Sequence, residues 1–265
     1  MKMFGIGKKD NGTELEPAQR NEHETRRRAA RIAGLMYVGV IIFGIGAQAI
    51  RMSLYDPDDA VATVENISAH LTAFRLSFLS DIAMTMFYAM LGVTAYQLFR
   101  SYNDRASLVM LVLVVVSAAI GGLSLVHQFA VVQLLDGPGY VATLGDDYLT
   151  ARVMEHMEML TSGIFIAQVI GWGPWLFPLG YMGYRSGYFP KAIGVLLMVA
   201  PAGYVVEGIQ HFALPGMEWI SAPGLVLAAV TEFATVGWLL AKGVRVRAFA
   251  EEVEPRVVPR VADLS

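Results

Sequence analysis

The sequence predicts an all-α polytopic bundle that crosses the membrane about six times with both termini in the cytoplasm. Three observations predict it. Of 265 residues, 55% are hydrophobic and only 16% are charged, against about 25% charged in a typical soluble domain. The apolar residues gather in stretches longer than the ~18–20 needed to span hydrocarbon. The Lys and Arg clusters flank those stretches on one side only, as expected of cytoplasmic loops.

Taken in order, residues 1–29 read as a polar cytoplasmic tail of mixed charge. The tail is too long and too polar to open a signal peptide, and the apolar run behind it is long enough to span. The bundle follows over residues 30–244, with expected spans at 30–50, 71–99, 106–135, 153–184, 191–212 and 220–241. The fourth is too long for one straight crossing. Pro174 and Pro178 remove backbone donors and should kink its inner part. Its outer part, 149–159, is charged and is expected to protrude or lie at the interface. Gly183 and Gly187 suit either helix packing or a turn. Residues 245–265 form a polar tail with Pro255 and Pro259.

Arg26 to Arg31, Arg100 to Arg105, Arg185 to Lys191 and Lys242 to Arg247 all fall on one side. The opposite loops carry Asp56, Asp58, Asp59 and Glu65, then Asp136, Asp146 and Asp147. Net charge is -3, so nothing global points to nucleic acid. The absence of cysteine excludes disulfides, thiolate nucleophiles, iron–sulfur clusters and Cys-based zinc sites.

Several runs resemble the bacterial membrane family labelled domain of unknown function 4386. They are Arg185-Ser-Gly-Tyr-Phe-Pro-Lys-Ala-Ile-Gly-Val-Leu-Leu-Met198, Trp175-Leu-Phe-Pro-Leu-Gly180, Ala30-Arg-Ile-Ala-Gly-Leu-Met-Tyr37, Phe74-Arg75 with Asp81, and Gly237-Trp-Leu-Leu-Ala-Lys-Gly243. The likeness extends over residues 30–244. It implies a helical bundle in the bacterial plasma (inner) membrane and carries no assigned activity. Family members often place a histidine before a glycine in the fourth helix. Here that stretch reads Leu160-Thr-Ser-Gly163, so the histidine is absent or displaced to His156. The resemblance also implies an acidic residue ahead of the last Trp-Leu-Leu run, which Glu232 supplies.

Helical phase gathers the polar residues into stripes: Ser77, Asp81, Thr85 and Tyr88; Ser117, Gly121, Ser124 and Gln128; Tyr204, Glu207 and His211; Ser221, Ala228, Glu232 and Thr235. At ~1.5 Å per residue, Glu232 lies roughly 15 Å from Lys242, near the midplane, and the other polar groups lie farther out. If the stripes face one another, they line an outward-facing vestibule. Ionisable groups in spans face the bundle interior or water. The leading candidate is therefore Glu232 as proton carrier, cation ligand or base, with Glu207, Asp81, Arg75, Tyr204 and Gln128 as vestibule residues. Arg75 stands about 120° around the helix from Asp81 and is expected to meet another helix.

The first function this supports is binding of a small molecule or ion by a transporter or sensor component. The alternative is an embedded metal-dependent hydrolase, in which His127, His211 and His156, with Asp81 and Glu207, hold zinc. No pair has the spacing of a zinc motif, so only long-range assembly would build that site. The remaining alternative is a structural or assembly role, in which the stripes only hold helices together. The lipid bilayer is the partner composition demands, a small-molecule ligand is expected, and nucleic acid is not.

Overall fold

The computed structural model describes residues 17–244 apart from Pro138 and Pro215. The expected tails over 1–16 and 245–265, with Arg247, Pro255 and Pro259, lie outside the described residues. Within them the protein is all-helical, and six helices are long and apolar enough to cross a membrane.

The first helix, α1 (Pro17–Leu54), starts well before Ala30. The turns ahead of the span are tied to the bundle, because the Arg26 guanidinium bonds the Tyr188 hydroxyl and sits 5.9 Å from that ring's centroid. A short helix that the spans do not anticipate, α2 (Ala60–Ala69), follows. Its signal is local: Asp59 is an N-cap whose carboxylate accepts from Ala62 N at 2.9 Å. The next spans are α3 (Leu71–Phe99) and α4 (Asp104–Asp136), the latter capped by Asn103.

The long fourth span is α5 (Asp146–Ala167), a π-helical turn (Gln168–Trp172) and α6 (Leu176–Arg185). The break precedes Pro174, whose ring cannot continue the ladder. The outer part of α5 packs rather than protrudes. Val153, Met157 and Leu160 are buried in a cluster with Phe74 and Ile67. The fifth span is also broken, into α7 (Lys191–Val199) and α8 (Pro201–Ala213), with Pro201 at the joint. The last span is α9 (Ala222–Ala241). Gly183 and Gly187 divide the two expected roles. A Cβ on Gly183 would fall 2.2 Å from the Phe189 ring, while Gly187 has φ +71° in the turn.

The spans close into a ring in chain order. α1 packs on α3, α3 on α4, α4 on α5 and the π turn, α6 on α7, α7 and α8 on α9, and α9 back on α1. The start of the first span and the end of the last meet at one face, the near face, where a Cβ on Gly243 would sit 3.4 Å from Ala30 Cβ. The outward surface is apolar, with Leu123 72% and Phe233 55% exposed. On six helices of membrane-spanning length, an apolar surface of this extent marks contact with the bilayer.

The near half of the ring is filled. Leu91, Leu98, Phe99, Leu179, Phe189 and Leu239 belong to one buried cluster. Trp238 Nε1 donates to Tyr188 O at 3.2 Å, pinning α9 to the α6–α7 turn. The basic residues are not all on the near face. Arg51, Arg75 and Arg152 lie toward the far face, and each meets an acid there: Asp81, Asp136 and Glu155. Acidic partners let these arginines occupy the side the loop pattern reserves for carboxylates.

Backbone contact fixes α8 against α9. A Cβ on Gly203 would fall 2.5 Å from Gly224 C, whereas one on Gly237 meets nothing within 4 Å. Gly203→Val should therefore destabilise the bundle by about 1–3 kcal/mol through overpacking. Gly237→Val should leave the midpoint of unfolding in detergent unchanged or higher. Equal midpoints for the two variants would refute the close helix contact.

Candidate functional site

Beyond the packed near half, the ring encloses a cavity of about 360 Å³. That falls within the range of small-molecule sites. Every span contributes to its wall. The chamber is built from one carboxylate upward. Glu232 on α9 accepts from the Tyr37 hydroxyl of α1 at 2.6 Å and from the Tyr204 hydroxyl of α8. No cation lies within ion-pair distance of it among the described residues.

Aromatic rings surround this carboxylate. Tyr88 meets Trp172 edge-on at 6.2 Å and Trp175 at 5.7 Å, and Tyr37 packs on Trp175 at 5.7 Å. Trp175 is buried and seals the floor against the apolar near half. The Nε1 of Trp172, a wall residue, is buried without a partner among the described residues.

The second carboxylate, Glu207 of α8, accepts from Gln168 Nε2 at 2.6 Å. The same nitrogen donates to Tyr204 O at 3.2 Å. Gln168 opens the π turn, so the irregular backbone aims an amide at α8 where a regular helix would carry it past. Turns of this kind are frequent at functional sites. The third carboxylate, Asp81 of α3, is 3% exposed and paired with Arg51 of α1. Gln48 Oε1 accepts from Arg51 Nη2 at 2.8 Å, which completes the guanidinium's partners on its own helix.

Four of the sequence candidates, Glu232, Glu207, Asp81 and Tyr204, thus line one chamber. Two vestibule candidates do not. Gln128 is fully buried between helices and donates to Ser77 Oγ at 2.8 Å. Arg75 pairs with Asp136 at 2.5 Å at the exposed far end of α3, the partner on another helix that its phase requires. The histidines separate. His127 Nδ1 lies 3.0 Å from His156 Nδ1, with Arg152 Nη2 at 3.5 Å from His156 Nε2. His211 instead stacks on Phe165 at 4.1 Å between centroids. Among the described residues no three metal-ligating side chains converge, so the zinc set expected of His127, His156 and His211 is not assembled.

The polar chamber residues Tyr37, Gln48, Arg51, Gln168 and Trp172 escape the sequence reading. A usable signal exists for three. Tyr37, Ile41, Gly44, Gln48 and Arg51 recur at helical spacing on α1, and an arginine ending an apolar stripe is an intramembrane charge seeking a partner. Gln168 and Trp172 give no such signal, because the π turn changes their phase.

Ring, chamber and apolar exterior together define a six-span helical membrane protein with a polar site inside the bundle. The chain belongs to the family described as domain of unknown function (DUF4386), which it matches over residues 32–243. A stretch of 44 residues is 41% identical to an uncharacterised protein of Archaeoglobus fulgidus, covering 17% of this chain and 27% of that one. No solved structure matches the chain.

The buried pair makes a double-mutant test. Asp81→Asn or Arg51→Met leaves one charge without its partner and should cost about 3–5 kcal/mol. The combination Arg51→Met with Asp81→Leu should recover more than half of that loss in equilibrium unfolding in detergent. Additive losses would show that the two side chains are not coupled.

Proposed function

We propose that the protein binds a small organic cation in the chamber, as the ligand-binding component of a transporter or sensor. One observation carries this: Glu232 sits midway along α9 among aromatic rings, and its partners are two neutral hydroxyls. An ionised carboxylate removed from water needs a cation or a dense set of donors beside it. A protonated amine or quaternary ammonium supplies that cation, and tyrosine and tryptophan faces attract it further. Charge balance agrees. Three carboxylates, Asp81, Glu207 and Glu232, line the chamber against one guanidinium, Arg51, which is already committed to Asp81.

The two broken spans support the same reading. The π turn and the Pro201 joint lie side by side where Gln168 meets Tyr204 and Glu207. Membrane proteins tolerate irregular backbone where it lines a cavity, and transporters place substrate at such breaks. A bundle whose polar stripes served only cohesion would close on them and leave no chamber. An embedded zinc hydrolase would need a third ligand beside His127 and His156.

The orientation belongs to this proposal as well. The arginines and lysines of the near-face turns put that face in the cytoplasm, so the chamber occupies the half away from it. The chain has no cysteine, which makes the check direct. Asp58→Cys, in the far loop, should label with an impermeant maleimide on intact cells, and Arg105→Cys, in a near-face turn, should label only after lysis. The reverse pattern would invert the topology.

Ligand binding is tested with tetramethylammonium and benzyltrimethylammonium, by equilibrium dialysis of radiolabelled probe against the protein in lipid nanodiscs. Saturable binding near one per chain is expected. It should weaken at least tenfold, about 1.4 kcal/mol, in Glu232→Gln. Failure of both probes to bind, or binding indifferent to Glu232→Gln, would overturn the proposal.

A further inference from the structure

We infer that the chamber opens sideways into the bilayer between the far halves of α1 and α9, and that its ligand is an amphiphilic ammonium whose apolar tail lies in that opening. This rests on the chamber being a cation site and adds the ligand's second half and its route.

The two helices share a seam that is readable residue by residue. On α1 the face turned to α9 carries Ala30, Gly34 and Tyr37, and continues at the same helical spacing through Ile41, Ile45, Gln48 and Met52. On α9 the facing stripe runs from Gly243 and Leu240 through Val236 to Glu232, then on to Ala229. In the near half the seam is closed. Ala30 is fully buried, and a Cβ on Gly34 would lie 2.9 Å from Leu240 Cδ2. The Tyr37–Glu232 hydrogen bond is the last tie.

Beyond that bond the same two faces are uncovered. Ile45 is 58% exposed and Met52 72%, and Gln48 and Ala229 are exposed as well. Ile45 and Gln48 nevertheless line the chamber, so the uncovered seam and the cavity are one continuous space. α9 cannot close it, because its far half is drawn onto α8 by the Gly203–Gly224 contact.

The rim of this opening is apolar, and it lies at the level of hydrocarbon. By ~1.5 Å per residue, Ile45 stands only roughly 12 Å beyond Tyr37 along α1. Water is scarce there, and a freely hydrated small cation would have to shed its shell before reaching Glu232. A cation carrying an alkyl chain is already concentrated in the leaflet by about 0.8 kcal/mol per buried CH₂. It can move its head a few ångströms from the interface to the carboxylate while its tail stays in lipid or along the seam. Gln48, at the mouth, offers polar contact to the passing head.

The test uses two probes with one headgroup, tetramethylammonium and dodecyltrimethylammonium, the second at concentrations well below those that disturb the nanodisc. Each competes against radiolabelled benzyltrimethylammonium. Wild-type protein should be occupied by the tailed probe at a concentration at least tenfold lower. Partition alone would also favour that probe, so variants that fill the seam decide. Met52→Trp on the α1 rim, which does not line the chamber, and independently Ala229→Trp on the opposite rim, should weaken the tailed probe about tenfold and leave tetramethylammonium within twofold. Retained tetramethylammonium binding shows that the variant is folded, and either variant suffices. A tailed-to-tailless ratio unchanged by both variants would overturn the lateral opening while leaving the chamber as a cation site. Loss of Glu232-dependent binding of either probe in the wild type would remove both.

Discussion

A charged group placed at the level of hydrocarbon has to find its partners inside the protein, because the bilayer core offers none. The far half of this bundle is organised by that constraint. Asp81 is matched by a guanidinium from α1, Glu207 by an amide from the π turn, and Glu232 by hydroxyls from α1 and α8. Each carboxylate therefore ties its own helix to others, and the ring is held at this level by polar contacts as well as by packing. Apolar packing fills the near, basic face, where Phe99, Tyr188 and Phe189 interlock, and a second buried cluster joins α2, α3, α4 and α5 toward the far side.

Distributing three carboxylates over three helices has a geometric cost. Helices that carry inward polar side chains of this length cannot also interdigitate there at full density. Small residues relieve the strain elsewhere. Gly92 takes Val114, Gly163 takes Ser124 and Gly203 takes Gly224, each at a spacing a Cβ would violate. These close approaches cluster between α3 and α4, α4 and α5, and α8 and α9. Among the described residues the α1–α9 pair has such an approach at Gly34, on the near side of Glu232. The seam therefore closes where glycine permits it and parts where bulk and polarity begin.

Most of the architecture is legible in the sequence because it follows from one-dimensional properties. Apolar run length sets the six spans, and for α3 it gives the observed ends, Leu71 and Phe99. Helical phase finds Asp81, Glu207, Tyr204 and Glu232, since each lies on a polar stripe of a regular helix. The illegible parts come from departures from regularity or from partner choice. The π turn shifts Gln168 and Trp172 out of phase. Arg51 looks like the end of a span until Asp81 is seen across from it. Arg75 and Gln128 are candidates by charge and by phase but turn to Asp136 and Ser77, and no spacing rule tells a group bonded between helices from one facing a cavity. The histidines fail for a similar reason. Residue type makes them ligands, but His211 is used as a flat ring against Phe165, and His127 and His156 satisfy each other.

The same bookkeeping separates the chamber from the rest of the polar interior. Ser77 with Gln128, Ser221 with Gln210, and Asp81 with Arg51 are pairs that bond one another between helices. Each is the pairing a folded bundle needs for cohesion, and none leaves space beside it for a further charge except at the chamber wall. Glu232 is different because its donors are aromatic alcohols held by their own helices. They orient the carboxyl group and bring no positive charge to it, and their rings stand with Trp172 and Tyr88 around the same chamber. Cohesion alone would be served better by an apolar residue at position 232, since replacing a buried ion by packed hydrocarbon is commonly stabilising. A carboxylate at this position, beside a cavity, is what the proposed cation site requires.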